Sequence, residues 1–397
     1  MENIKKLTVK DVSLEGKNIL MRVDFNVPLD EKLNITDDNR IKASLPTIKY
    51  ILEKNPRKLI LMSHLGRPEG KKNPKYSLRP VAKRLEALLN EKVKFLDDCI
   101  GQNVKNEISK AKEKVIILEN LRFYPEEEKN DANFAKELAS LGDIFVNDAF
   151  GTAHRPHAST EGITHYIKSV AGLLMENEIY YLGNTLTDPK SPFVVILGGA
   201  KVSDKIGVIE NLLPKCDILL IGGGMAYTFL YAQNKSIGNS RLEKDKVEIA
   251  KDILAKTKKL NKELVLPVDH IVVNKIEAGE PTETVGEEIP SGKIAVDIGP
   301  KTVEEFKKRL KNAKTIVWNG PLGIFEIDNF SKGTYAIASF ISRLSNCTTI
   351  IGGGDTAAAI SKFGLQDKMT HISTGGGASL EFMEGKTLPG IEALANK

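Results

Sequence analysis

Short apolar runs alternate with amphipathic stretches along almost the whole chain. In the first half, Ile19 to Val23, Leu59 to Met62, Val93 to Leu96, Val115 to Leu118 and Ile144 to Val146 are strand-like and largely apolar, as buried strands require. Between them, apolar positions recur every three or four residues, as in Ile41, Leu45, Ile48 and Ile51 or Leu78, Val81, Leu85 and Leu88. That spacing predicts helices with one apolar face. The second half repeats the scheme, with strands expected near Val194, Ile218, Leu264, Ala295, Ile316, Ile350 and His371. The alternation predicts an α/β protein built on parallel sheets.

A chain of 397 residues exceeds what one hydrophobic core supports, so two domains are expected. The boundary falls between Leu173 and Pro192, where LLMENEIYYLGNTL reads as an amphipathic helix and TDPKSP as a turn-rich break. A helix between two lobes is a semi-rigid connector and allows lobe motion.

Charge and composition mainly remove options. The 57 basic and 52 acidic residues give a net charge of +5, spread rather than blocked, and the lysines between Lys256 and Lys262 read as a solvated helix face. Aromatic residues do not interleave with basic runs, which argues against nucleic-acid binding. Cys99, Cys216 and Cys347 are few and far apart, as expected of buried thiols in a reducing compartment. The N-terminal MENIKKLTVKDV has no apolar signal core, and no apolar stretch approaches the roughly 20 residues that span a bilayer. A cytoplasmic protein without a membrane partner is expected.

The residues just after each strand carry the chemistry, because ligands in open α/β sheets bind beyond the carboxyl ends of strands. In the first half these positions hold charge. RVDFNVP supplies Arg22, Asp24 and Asn26; SHLGRP supplies His64 and Arg67; LENLRF supplies Arg122; VNDAFGTAHRPHAS supplies Asp148, His154, Arg155 and His157. Arg40 stands where a helix should start. Any one of these arginines can equally be a surface ion pair, and His154 alone reads as structural, but together they favour a clamp for a polyanion. Asp24 and Asn26 can orient the arginines or accept hydroxyls.

The second half ends its strands in glycine instead: VVILGGAK, ILLIGGGMA, TTIIGGGDT and THISTGGGAS. Glycines let backbone amides approach an anion. In GGAKVSDKIGVI, Lys201 and Lys205 are four apart and expected on one face of a helix opening at the glycines, a phosphate site unless the segment is only a tight turn with solvated lysines. Gly352 to Gly354 present bare amides, Asp355 can hold magnesium and Thr356 can cap a helix. Gly375 to Gly377 repeat the device, and Glu326 in WNGPLGIFE can take ribose hydroxyls. No GxxxxGK[ST] occurs, and no GxGxxG opens a helix, which argues against a Walker site and an NAD-dependent dehydrogenase.

Taken together and in order, RVDFNVP, SHLGRP, VNDAFGTAHRPHAS, GGAKVSDK, GGGMAYTFL, WNGPLGIFE, GGGDT and STGGGAS resemble phosphoglycerate kinases, from about Val9 to Leu394. The compact segments and the ending LPGIEAL are similar to the bacterial branch. The resemblance implies two Rossmann-like lobes: residues 1–172 with a return from about Lys386, a connector at 173–191, and 192–385. It implies that Arg22, Asp24, Phe25, Asn26, Arg40, His64, Leu65, Gly66, Arg67, Arg122 and Arg155 bind phosphoglycerate. It also implies that Gly199, Lys201, Gly223, Gly224, Gly292, Asn319, Glu326 and Gly352 through Thr356 bind ATP or ADP, with Asp355 on Mg2+. Arg40, Lys201, Lys205, Gly354 and Gly377 match positions credited with stabilising the group in transit, and a monomer is expected. The family's reaction, from 1,3-bisphosphoglycerate to ADP, needs no general base, because a carboxylate leaves and an ionised oxygen attacks. Charge and alignment are what must be supplied, and ligands held on separate lobes require lobe closure.

Overall fold

The computed structural model describes residues 4–397; residues 1–3 of the expected N-terminal lobe lie outside the described residues. The chain forms two compact units, one running to Tyr180 and joined by Thr387–Lys397, the other spanning Tyr181–Lys386.

In the first unit, β1 (Asn18–Arg22), β2 (Lys58–Met62), β3 (Val93–Phe95), β4 (Val115–Ile117), β5 (Ile144–Asn147) and β6 (Ser169–Ala171) form one sheet in the order β3-β4-β2-β1-β5-β6. Every pairing is parallel. Side chains alternate between two cores: Ile19, Met21, Leu59 and Leu61 pack on one face, Leu20, Ile60, Met62 and Phe145 on the other. Burial on both faces explains why these strands read as unbroken apolar runs. Five strands lie where those runs predict. β6 escaped prediction because SVA at a sheet edge is too short to show a pattern.

The C-terminal segment is tied into this unit. Leu7 N donates to Ala395 O at 2.8 Å and Ala395 N to Ser169 O at 3.0 Å. Lys6 Nζ donates to Glu392 O, Leu394 O and Asn396 Oδ1. The crossing between units runs through the helix Leu173–Glu178 and a π-helical stretch Ile179–Asn184. Asp148, just past β5, caps that helix: its Oδ1 accepts from Leu174 N at 3.0 Å and Met175 N at 3.2 Å.

In the second unit, β7 (Phe193–Leu197), β8 (Ile218–Ile221) and β9 (Glu263–Val265) precede a small antiparallel sheet of β10 (His270–Val273), β11 (Glu283–Val285) and β12 (Ile294–Ile298). β13 (Thr315–Asn319), β14 (Thr348–Gly352) and β15 (His371–Ile372) return to the main sheet, ordered β15-β14-β13-β7-β8-β9 and parallel throughout. The expected strand at Ala295 therefore exists but pairs antiparallel, outside the main sheet. The neighbouring β11 went unpredicted because its ETV is polar and mostly exposed. Central β7 and β13 are buried at every position, and Trp318 is wholly enclosed with its indole N–H on Gly320 O at 2.7 Å.

A second correction concerns Lys201 and Lys205. They do not share a helix face: the helix begins at Ile206, with Lys205 at its N-cap position. The preceding turn is held by Glu243, which accepts from Val202 N, Ser203 N and Ser203 Oγ, while the Val202 side chain is buried.

Candidate active site

In the first unit, β1 and its neighbours deliver a connected set of polar groups to one sheet edge. Arg40 Nη1 pairs with Asp24 Oδ2 at 2.8 Å. Asn26 Oδ1 accepts from Gly66 N at 2.9 Å, and Gly66 O accepts from Arg122 Nη1 at 3.1 Å. Asn120 Nδ2 fixes the same loop by donating to Leu65 O and Tyr76 O. His64 Nδ1 lies 3.2 Å from Arg22 Nη2. Burial first, then Arg22, Arg122, Arg40 and His157, holds the His64 imidazole well below its ordinary pKa, so it is neutral. Arg67 and Arg155 are exposed, available to an incoming anion. His157 is buried and pushed down to about 3 by burial and Arg122.

Three expected contact residues prove internal. Phe25 and Leu65 are core side chains, and Phe25 N is already committed to Ser63 Oγ at 2.9 Å. Arg22 is wholly buried: its Nε donates to Ser159 Oγ at 2.8 Å, and its Nη1 donates to Val23 O. It does not reach the surface, because Ser159 and the buried Glu127 behind it satisfy its charge inside. Ser159 and Glu127 were not singled out from the sequence, where nothing local distinguishes Glu127 from Glu126 and Glu128 beside it.

In the second unit the glycines divide into two kinds. A Cβ on Gly198 would come 2.2 Å from Pro321 O, one on Gly320 2.2 Å from Gly198 O, and one on Gly223 2.7 Å from Gly199 N. These glycines let the loops after β7, β8 and β13 cross backbone against backbone, and Gly199 N and Gly223 N are already bonded to Pro321 O and Leu322 O. They are not the open amides expected of them. Gly224 likewise packs against Ala200 O, at 3.1 Å from its would-be Cβ. By contrast, nothing lies within 4 Å of a Cβ built on Gly354 or Gly376.

Those two residues open the helices Gly354–Lys362 and Gly376–Met383, the latter carrying Gly377 in its first turn. First-turn amides have no intrahelical acceptor and favour anions. Both helices border a cavity of about 150 Å³, which Gly320, Gly353, Asp355, Thr356 and Leu380 also line; its size suits a phosphate group rather than a nucleoside. Lys205 and Asn319 complete it. Lys205 Nζ donates to Asn319 Oδ1, and burial lowers the lysine pKa against the pull of Asp204, Asp355 and Glu384. Asn319 Nδ2 is buried without a hydrogen-bond partner among the described residues, beside the space left by Gly352 and Gly353. A buried unpaired donor is costly, and a phosphate oxygen would satisfy it. Thr356 does not cap its helix; its Oγ1 accepts from Gly320 N at 2.7 Å. Lys201 is exposed, while Glu326 and Gly292, exposed elsewhere on the unit, do not line this cavity. Gly376 lies within the expected run Gly375 to Gly377, whereas Gly320 and Leu380 were missed as site residues, since a lining role depends on which loops meet.

Each unit is built on a parallel sheet; one presents guanidinium groups at its sheet edge and the other helix-opening amides around a phosphate-sized space. A family model described as phosphoglycerate kinase matches residues 9–386. Phosphoglycerate kinase of Koribacter versatilis is 57% identical over an alignment 405 positions long, covering 99% of this chain and 100% of the relative. That of Chlorobaculum tepidum is 55% identical, covering 98% and 100%. The solved structure of phosphoglycerate kinase from Coxiella burnetii superposes with a TM-score of 0.89 at 43% identity, covering 98% of both chains. The chain belongs to the phosphoglycerate kinase family. Its activity is phosphoryl transfer between 1,3-bisphosphoglycerate and ADP, giving 3-phosphoglycerate and ATP, a reaction of glycolysis.

Proposed function

We propose that this reaction divides between the two units, with phosphoglycerate on the arginine edge and the nucleotide phosphates at the glycine-bordered cavity. Asp24, Asn26, Arg40, His64, Arg67, Arg122 and Arg155 hold the phosphoglycerate; Lys205, Asn319 and the amides opening at Gly354 and Gly377 receive the phosphoryl group and its nucleotide. In domain terms, residues up to 172 with the return from about 386 form the phosphoglycerate lobe, 173–191 the connector and 192–385 the nucleotide lobe. What carries this reading is Asn319 Nδ2, a buried donor with no partner among the described residues, beside a lysine and two helix N-termini.

In the transfer, the bond from phosphorus to the acyl oxygen breaks, a bond to the ADP oxygen forms, and the carboxylate leaves with the electron pair. No proton moves, so the residues act by charge and alignment. Arg40 and Lys201 stabilise the equatorial oxygens. A magnesium ion suits Asp355, an exposed carboxylate at the cavity edge, since magnesium takes one or two carboxylates plus phosphates and, when bound, offsets phosphate charge. Free cysteines at 99, 216 and 347 accord with a cytoplasmic setting, and we take the protein as a monomer. Among the described residues no helix is long and apolar enough to cross a membrane.

A coupled assay of ATP formation from 1,3-bisphosphoglycerate and ADP tests the assignment through Lys201→Ala. The expected result is a turnover loss of roughly a hundredfold or more with phosphoglycerate binding kept. Weakened phosphoglycerate binding at unchanged turnover would contradict it.

A further inference from the structure

Arg22 sits behind His64, out of reach of any ligand, yet it controls what His64 can do. A guanidinium has only N–H donors and no acceptor. Its Nη2 stands 3.2 Å from His64 Nδ1, so that nitrogen must accept, and the ring proton must sit on Nε2. Behind Arg22 the hydrogen bonds continue inward. Ser159 Oγ accepts from Arg22 Nε at 2.8 Å and donates its own hydrogen to Glu127 Oε1 at 2.5 Å. Ser159 N donates to the other carboxylate oxygen at 3.0 Å. Glu127, Ser159 and Arg22 are each fully buried, and Arg22, which can only donate, faces an acceptor at both Ser159 and His64.

We propose that Arg22, aligned by Ser159 and Glu127, is a positioning residue that locks His64 as the neutral Nε2–H tautomer, an uncharged hydrogen-bond donor for an oxygen of phosphoglycerate. The inference rests on the proposed function only in placing phosphoglycerate at His64. Protonation of Nδ1 would set N–H against N–H, and Arg122, Arg40 and His157 also face the ring electrostatically. The arrangement thus spares a ring that touches substrate from changing charge where histidines ordinarily titrate. Core filling alone would demand volume at position 22, not a row of directed donors.

The test is two-bond proton–nitrogen NMR on the ligand-free, 15N-labelled full chain from about pH 5.5 to 8, with His64 assigned by loss of its signals in His64→Gln. The Nε2–H pattern is expected throughout; an Nδ1–H pattern or an imidazolium in that range would overturn the lock. In Arg22→Gln/Glu127→Gln, where an amide can give or accept and no charge is left unpaired, His64 should titrate within the range. KM for 3-phosphoglycerate should then rise roughly tenfold, with KM for ATP unchanged. Arg22→Lys, still only a donor, should keep the wild-type pattern. Should the double variant not fold, Arg22→Gln alone gives the same readout, since its amide oxygen can accept from an Nδ1–H where the guanidinium cannot. An unaltered pattern in the double variant, or in Arg22→Gln where the double variant does not fold, would also overturn the proposal. A locked tautomer with unchanged 3-phosphoglycerate affinity in His64→Gln would instead leave the lock standing and overturn the placement of the ligand.

Discussion

Replacing Asp148 by Asn should make the protein more stable, and more so the higher the pH. Asp148 is 1% exposed, and its Oδ1 holds the first turn of the helix through which the chain passes between units. Burial dominates its environment and pushes the carboxyl up to about 7, only partly opposed by hydrogen bonds from Thr47, Met175 and Leu174. The unfolded chain ionises this group near its ordinary 3.8. Between those values the folded state therefore holds a proton that the unfolded state has lost, and stability falls as pH rises through the window. At 1.36 kcal/mol per pH unit, the whole window corresponds to about 4 kcal/mol, most of it between pH 5 and pH 8. Asn keeps an oxygen for the two amides and does not titrate. Guanidinium unfolding of both proteins at pH 5 and pH 8 isolates the effect, since contributions from other groups cancel in the difference. The variant's advantage should grow by about 3 kcal/mol from the lower to the higher pH. An advantage independent of pH, or one that shrinks with rising pH, would rule out a carboxyl kept protonated by burial.

His270 should produce the opposite dependence in acid. It is wholly buried against Tyr227, and burial holds its imidazole down to about 4, so the unfolded chain takes a proton that the folded one refuses. Stability should drop by about 3 kcal/mol as pH falls from about 6.5 to about 4, and His270→Phe should remove that share of the loss in acid-unfolding curves. The two kinds of glycine separate by substitution. Gly320→Ala puts a Cβ 2.2 Å from Gly198 O at a φ of +97°, and a Tm several degrees lower is expected. Gly376→Ala meets nothing within 4 Å and should leave Tm within a degree or two while weakening nucleotide binding in a calorimetric titration.

The main sheets could be read directly because burial on both faces writes a strand as a continuous apolar run, as in FVVIL of β7 or TIVWN of β13. Short polar strands such as β11 leave no such mark. Charged residues after strands were identifiable as a group, but not their direction. Nothing local to RVDFNVP tells that Arg22 turns inward, because its partner Ser159 lies 137 residues away. The loop at Lys201 is likewise shaped from a distance, by Glu243, so local spacing alone predicted a helix there. Glycine clusters marked the strand ends well. Which glycines stay open was undecidable from sequence, since backbone crossing and ligand approach both call for a missing Cβ.

If the two ligands occupy different units, calorimetric titration of 3-phosphoglycerate and of magnesium ADP into Arg122→Gln and Asn319→Leu should separate them. Arg122→Gln should lose roughly tenfold or more in affinity for 3-phosphoglycerate and bind ADP as before, while Asn319→Leu should show the reverse. Loss of both ligands in one correctly folded variant, or of the wrong ligand in either, would overturn the division of the site between the units.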